Sequence, residues 1–215
     1  MNFNDFLKTV PKIKNITLPA ETSHFKMVPP FRQEELKQYT QAKKTAKEAA
    51  VLALFYPDKE NRTRFILILR KTYNGVHSAQ IGFPGGKVET EDLSLKDTAI
   101  RETFEEIGVS VTNIKVVQAL TEVYIPPSHF NVFPFLGICP QTPTFTKQDD
   151  EVEDIIEVDL TELLDDSSVV NKKRSTSYSQ AVTVPAFFLK NQIVWGATAM
   201  MLSEIKDLLK LAFKV

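Results

Sequence analysis

An α/β sandwich is what this sequence predicts, on three observations. Apolar, β-branched and aromatic runs recur from Ala49 to the last quarter of the chain, and strands outnumber helices. Helical spacing falls between and after runs of strands rather than alternating with them, so a regular βαβ repeat is not expected. The 215 residues are 43% hydrophobic and 25% charged, a balance that suits one well-buried core and is far from that of a disordered chain.

Residues 1–45 read as a helical extension packed on a main domain of residues 46–215. A short amphipathic helix is expected over 3–10 and a polar helix near 33–42. Prolines at 11, 19, 29 and 30 cut the segment into pieces too small to fold alone. The runs "AAVLALFY" and "RFILILR" then flank "PDKENRT", whose Pro, Asp and Asn suit a turn. Later strand-like runs are "IKVVQALTEVY", "NVFPFLGI", "EDIIEVDL", "AVTVPAFFL" and "QIVWG". The tail "ATAMMLSEIKDLLKLAF" spaces its apolar residues as a helix does.

One further helix carries chemistry. Asp92 or Ser94 can cap a helix that starts near Leu95, with Asp97 completing a capping box, and Gly108 can end it; capping is the role favoured for Asp92. At about 100° per residue, Ile100, Thr103, Phe104 and Ile107 share a core face. Arg101, Glu102, Glu105 and Glu106 fill an arc of roughly 140° opposite. Three clustered glutamates repel one another, at about 0.2–0.5 kcal/mol per pair. A solvated acidic face is the ordinary reading of such a cluster. A hard divalent cation explains the crowding better, because Mg²⁺ takes carboxylate and carbonyl oxygens and completes its shell with phosphate oxygens. Just upstream, Gly85 and Gly86 lack Cβ atoms and let backbone approach a metal or a diphosphate closely.

Net charge is −1, so no global basic field exists to hold a nucleic acid or an anionic membrane, and no run of apolar residues is long enough to span a bilayer. The N-terminus shows no secretory signal pattern, and Cys139 is the single cysteine; a cytoplasmic location is expected. Cys139, within "FLGIC", reads as a small buried hydrophobe rather than a nucleophile. A homodimer is carried as the simplest assembly.

These residues resemble the Nudix hydrolases, whose box is GX5EX7REUXEEXGU. Gly86, Arg101, Glu102, Phe104, Glu105, Glu106, Gly108 and Val109 fit it. Asp92 stands where the first Glu is expected, and the spacing to Arg101 is one residue longer than the pattern. The resemblance implies an α/β/α sandwich with a mixed β-sheet, and hydrolysis of a nucleoside diphosphate linked to another group. Carried over by position, Glu102, Glu105 and Glu106 with the Gly86 carbonyl would hold Mg²⁺ or Mn²⁺, and Arg101 would orient the glutamates. Glu102 can serve as catalytic base; some relatives place the base on a later loop, where "DDEVED" offers Glu151 or Glu153.

Upstream, "LRKTYNGVHSAQIGFPGGK" is similar to the signature of the coenzyme A pyrophosphatase branch, approximately LLTxRSxxLRxHxGQIxFPGG. Arg70, His77, Gln80, Ile81 and Phe83 to Gly86 match, whereas Gly75 and Ala79 depart from it. The expected substrate contacts are Arg70, His77 and Gly85. Arg70 suits forked contact with phosphate, its alternative being a surface ion pair. "NKKR", residues 171–174, is expected as a charged surface loop, and Phe83 and Phe130 as core residues. The expected reaction is cleavage of coenzyme A or acyl-CoA to 3′,5′-ADP and (acyl)phosphopantetheine. ADP-ribose or another nucleotide sugar is the second substrate reading. A non-catalytic nucleotide-binding module on the same fold is the reading of another class, against which the complete acidic set argues.

Overall fold

Strand β1 (Lys47–Pro57) carries the core because its apolar run serves two faces at once. Ala50, Leu52, Leu54 and Tyr56 enter one buried cluster, while Ala49, Ala53 and Phe55 enter the other. The computed structural model describes residues 1–29, 32–34, 38–71, 80–176 and 179–214. Around β1 lie β2 (Thr63–Arg70), β3 (Ile81–Gly82), β4 (Gly85–Lys87), β5 (Lys115–Ala119), β6 (Val123–Ile125), β7 (Phe130–Ile138) and β8 (Val152–Asp159). The central path of this eight-stranded sheet is β3-β2-β1-β7-β5, with β4 on β1, β6 on β7 and β8 on β2. Pairing of β1 with β7 is parallel from Lys47↔Phe130 to Phe55↔Ile138, and the other pairings are antiparallel, so the sheet is mixed. A separate three-stranded sheet, ordered β11-β10-β9, holds β9 (Val169–Thr176), β10 (Ser179–Leu189) and β11 (Gln192–Val194).

The helices are α1 (Phe3–Ile13), α2 (Glu21–His24), α3 (Thr40–Lys43), α4 (Leu95–Ile107), α5 (Leu160–Leu164) and α6 (Gly196–Phe213). Helix α4 supplies Ala99 and Ile107 to the cluster built on Ala50, Leu52 and Leu54. Helix α6 packs Leu202, Ile205, Leu208 and Leu209 on the opposite face, together with Phe3, Phe6 and Ile13 of α1. The sandwich read from the sequence is present, and its order of strands and closing helix follows the apolar runs.

Three local features differ from expectation. Pro11 lies inside α1, which continues to Ile13. This is tolerated because a proline late in a short helix costs the ladder a single hydrogen bond. The expected polar helix near 33–42 is represented by α3, and residues 35–37 of it lie outside the described set. The basic run at 171–174 is part of β9 rather than a loop; Lys172 pairs with Val184 and Lys173 with Thr183, and both lysines are exposed. Charged side chains on an outer strand also discourage edge-to-edge pairing.

Glu204 ties three distant segments together. Fully buried on α6, its carboxylate accepts from the Ala20 amide (3.2 Å), His24 Nε2 (3.2 Å), the Thr121 amide (3.1 Å) and the Thr121 hydroxyl (2.6 Å). Burial works against its charge, but the bonds from His24 and Thr121 outweigh burial and hold the carboxyl below its ordinary value. Next to it Ser23 donates to Asp207, and Lys26 pairs with Asp207 at 2.6 Å. Among the described residues no helix is long and apolar enough to cross a membrane.

Candidate active site

Helix α4 starts at Ser94, whose hydroxyl oxygen accepts from the Asp97 amide at 3.3 Å and donates to the Asp97 carboxylate at 2.7 Å. It ends at Gly108, whose φ of 73° suits a residue without Cβ. The expected faces need turning. Phe104, assigned to the core, is 50% exposed; Glu106, assigned to the presented arc, is 1% exposed. The buried side is Thr98, Ala99, Thr103, Glu106 and Ile107. It includes a carboxylate because that carboxylate finds partners inside.

Asp92 is not the cap. Its carboxylate, only 4% exposed, receives two parallel bonds from Arg101, Nε to Oδ1 and Nη2 to Oδ2, both 2.9 Å. The Thr98 hydroxyl and the Glu89 amide complete its shell at 2.8 and 2.9 Å. The forked guanidinium contact, with the other donors behind it, holds the Asp92 carboxyl well below the usual carboxylate range. Arg101 also donates from Nη1 to Glu102 (3.0 Å) and Glu105 (2.9 Å), and from Nη2 to the Lys87 carbonyl (3.1 Å). One cation thereby orients two glutamates and pins the strand after Gly86. The extra residue between Asp92 and Arg101 leaves this contact intact.

A second knot joins β2, β4 and α4. Glu106 Oε2 accepts from the Gly85 amide at 2.7 Å, its Oε1 lies 3.2 Å from Arg70 Nη2, and the same nitrogen donates to the Gly85 carbonyl at 2.5 Å. Arg70 is thus engaged with the glycine turn, neither fully exposed nor in an ordinary surface pair. Gly85 has a φ of 149°, and a Cβ there would collide with the backbone of Ala50 and Val51. At Gly86 an added Cβ would overlap the Glu102 carboxylate, so that carboxylate rests directly on the glycine backbone.

Burial pushes the Glu106 carboxyl up to about 7; Arg70 and the Gly85 amide oppose the rise, and the charges of Glu102 and Glu151 add to it. Glu102 is raised for the same first reason, with Arg101 opposing and Glu105 and Glu151 adding. Like charges therefore converge here, and the loop residue Glu151 belongs to the group. Among the described residues its carboxylate has no hydrogen bond or ion pair, while Glu153 faces Lys71 at 3.6 Å. Glu105 is half exposed and, among the described residues, is held by Arg101.

Among the described residues no three acidic, histidine or cysteine side chains are gathered in a geometry that holds a metal ion. Each helix glutamate is instead engaged by Arg101, Arg70 or a backbone amide. The donor set nonetheless suits a hard cation: three carboxylates and the Gly86 carbonyl, with mutual repulsion that such a cation would relieve. Glu102, Glu105, Glu106 and Gly86 are therefore the residues that could hold one.

From the glycine turn a cleft of about 1030 Å³ runs under the start of α6, on the sheet face opposite α4. Ala49, Val51 and Val132 floor it; Arg70, Gln80, Gly85, Gly86 and Lys87 stand at its polar side. Phe83 and Phe130, expected in the core, pack there and also face this cleft. Asn171, Lys172 and Lys173 do not line it. His77, Gly75 and Ala79 lie outside the described residues. Cys139 is buried, donates to the Gln141 carbonyl and has its thiol raised by burial, which leaves it inert. Sequence reasoning missed the Asp92 contact, for which the family spacing was the available signal. It also missed the cleft walls supplied by Met27, Val28, Pro29 and Tyr39. Those residues carry no spacing pattern, and the prolines of "VPPFR", which begins with Val28 and Pro29, mark only a break in the chain.

Comparison with known proteins agrees with this geometry. The NUDIX domain family matches residues 46–178. An uncharacterized Nudix hydrolase, NudL, from Yersinia pestis (strain Pestoides F) is 28% identical over 142 residues, which is 65% of this chain and 69% of the relative. Among solved structures, the Nudix hydrolase RenU of M. smegmatis superposes with a TM-score of 0.54 at 13% identity, covering 77% of this chain and 87% of its own. A MutT/nudix family protein from Enterococcus faecalis gives 0.52 at 17% identity, covering 77% and 63%. With the family matched over more than half its length and the acidic helix docked on paired glycines, this chain belongs to the Nudix family and is a Nudix hydrolase.

Proposed function

We propose that the protein is a divalent-metal-dependent pyrophosphohydrolase that cleaves coenzyme A or acyl-CoA to 3′,5′-ADP and (acyl)phosphopantetheine. The observation that carries this reading is the seating of Glu102 and Glu106 on Gly86 and Gly85, the paired glycines that also line the large cleft, with the charge of Glu151 acting on both carboxylates. Bound Mg²⁺ or Mn²⁺ would supply charge neutralisation of the diphosphate and acidification of the attacking water. Glu102, Glu105, Glu106 and the Gly86 carbonyl would hold the ions, and Arg101, anchored by Asp92, sets the directions of Glu102 and Glu105. Arg70 and Lys87 offer positive charge to the diphosphate from the side of the glycine turn. Glu151, which lacks a hydrogen-bond partner among the described residues, takes the proton of the water, whereas Glu102 is already engaged by Arg101. The substrate is a small molecule, consistent with a near-neutral chain lacking a basic face.

The test is a panel of coenzyme A, acetyl-CoA, ADP-ribose, NADH, diadenosine polyphosphates and nucleoside triphosphates with Mg²⁺ and Mn²⁺. Release of 3′,5′-ADP from coenzyme A is expected. Hydrolysis confined to ADP-ribose or nucleotide sugars would replace the coenzyme A assignment. Metal-dependent binding without turnover on any of them would favour the regulatory module.

A further inference from the structure

We infer that Tyr39, backed by Tyr124, is the seat of the substrate's nucleobase, and that His129, itself outside the cleft lining, is the residue that positions it. That placement rests on the pyrophosphohydrolase reading above only for the presence of a nucleoside in the substrate.

The cleft has two ends of different chemistry. Sheet order puts β3 and β6 on opposite sides of β1, with which the glycine turn of β4 is paired. Toward β3 stand Gln80 and Thr198, whose hydroxyl donates to the Ile81 carbonyl at 3.0 Å, with Trp195 at the start of the same helix. Toward β6 the lining is aromatic, with Tyr39, Tyr124 and Phe130 beside Ile125 and Pro126. Arg32, from the same N-terminal segment as Tyr39, also lines the cleft and is 9% exposed. A nucleobase is apolar on its faces and polar at its edge. Aromatic rings take the face of any base, and a guanidinium carries several donors suited to its ring nitrogens and carbonyls. Met27, Met200 and Met201 complete the lining, and their flexible thioethers pack on a flat ring as readily as on a chain.

One small network holds this end in place. The Tyr39 ring rests on Tyr124 with centroids 5.5 Å apart. Tyr39 is half-buried and still presents surface, whereas Tyr124 is buried and serves as its backing. The Tyr124 hydroxyl lies 3.0 Å from His129 Nδ1, and His129 Nε2 lies 3.4 Å from the Thr45 hydroxyl. Because that hydroxyl donates to the Ala42 carbonyl at 3.3 Å, it accepts from Nε2, which leaves Nδ1 to accept from Tyr124. Tyr39 shares the support: its carbonyl accepts from the Lys43 amide, and the Lys43 carbonyl accepts from Asn131 Nδ2, both at 2.9 Å. Both rings are thereby tied to residues 129–131. His129 holds a φ of 55°, uncommon for a residue with a Cβ, and its carbonyl accepts from the Lys47 amide at 3.0 Å. Such conformations persist where the surroundings over-determine them, and they cluster at ligand clamps. A platform set before substrate arrives reduces the ordering cost of binding. Tyr39 precedes the region that the NUDIX domain family matches, while Tyr124 and His129 lie within it, so this chain's own extension completes the seat.

The test compares, by calorimetry with Mg²⁺, the binding of ADP with that of ribose 5-diphosphate, which lacks the base. Tyr39→Ala is expected to lose roughly 5- to 150-fold in affinity for ADP, the range of base–aromatic stacking, and to hold ribose 5-diphosphate within about twofold of wild type. Tyr39→Phe keeps wild-type affinity for both. Tyr39→Leu, which keeps bulk without an aromatic face, replaces Tyr39→Ala if thermal unfolding shows that the latter fails to fold. His129→Asn, a residue that tolerates the left-handed region, and Tyr124→Phe break the same bond. Each should raise KM severalfold, with little change in kcat, for whichever diphosphate of the panel is cleaved, and the double variant should go no further than either single one. Equal affinity of the wild type for ADP and ribose 5-diphosphate, unchanged ADP binding in Tyr39→Ala, or an equal loss of both ligands overturns the inference, while hydrolysis of coenzyme A leaves the activity standing. Base-selective loss in Tyr39→Ala without turnover of any diphosphate supports the seat and removes the hydrolase reading instead.

Discussion

Asp92→Asn separates the anchoring of Arg101 from the capping of α4. The replacement keeps volume and one acceptor oxygen but deletes the charge that receives the fork of two 2.9 Å bonds in a site 4% exposed. Hydrogen bonds to charged groups contribute about 1.5–3 kcal/mol, and Arg101 retains Glu102, Glu105 and the Lys87 carbonyl. A net loss of about 2 kcal/mol follows, or roughly 4–8 °C in Tm for a chain of this size. Ser94→Ala, which removes the actual cap, costs about 1 kcal/mol. Since the Asp92 carboxyl is held below its unfolded value of about 3.9, its contribution is present above that pH and is lost as pH falls below it. Wild type and Asp92→Asn therefore converge in Tm on acidification toward pH 3. An Arg101 freed from Asp92 also competes harder for Glu102 and Glu105, so half-maximal rate requires more Mg²⁺. Thermal unfolding across pH and Mg²⁺ titration of the rate measure these effects. If Asp92→Asn costs the same in an Arg101→Gln background as in wild type, the two residues are uncoupled and the reasoning fails.

Glu106, whose carboxyl is pushed up to about 7, destabilises the metal-free protein as pH rises from its unfolded value near 4.5 through 7, by roughly 3 kcal/mol in all. Metal-free Tm should fall over that window in the wild type and not in Glu106→Gln, and Mg²⁺ binding near pH 6.5 should release a proton in calorimetry performed in two buffers. Glu105→Gln should lower kcat by orders of magnitude with Tm changed by no more than a few degrees, since this half-exposed side chain supports no core contact; unchanged turnover would contradict its role. Gly86→Ala drives a methyl into the Glu102 carboxylate and should weaken Mg²⁺ dependence of the rate far more than it lowers Tm, whereas Gly85→Ala meets β1 backbone and should chiefly unfold the protein. Glu151→Gln should reduce kcat by about 10²–10⁴-fold, while Glu153→Gln, which loses a pair with Lys71, should leave kcat within twofold or so of wild type; equal effects would refute Glu151 as the base.

The sheet and the closing helix were legible because each is written in a contiguous apolar run whose period identifies it. The acidic helix was legible for a different reason, as unlike residue types recur there at fixed spacing. Its rotation was not. Helical periodicity placed Phe104 inward and Glu106 outward, but the partners that make burial of Glu106 tolerable, Arg70 and the Gly85 amide, come from other strands. Asp92 was misread by the same limit: its acceptor role toward Arg101 competes with capping, and Ser94 stands closer to the first helical turn. The N-terminal cleft wall was opaque because its ordering depends on Glu204 and Asp207, about 180 residues away in sequence.

That separation bears on when the enzyme becomes competent. During synthesis the segment around His24 leaves the ribosome early, yet the carboxylate that secures it belongs to the last helix of the chain. Long-range contacts of this kind form late, after the loop between them has closed. The acidic helix and its glycines can therefore assemble before the far wall of the cleft exists. Docking of α6 joins the two ends of the polypeptide, and a chain cut short before Glu204 would lose both the anchor of His24 and the Ile205, Leu208 and Leu209 side chains that fill this face of the core.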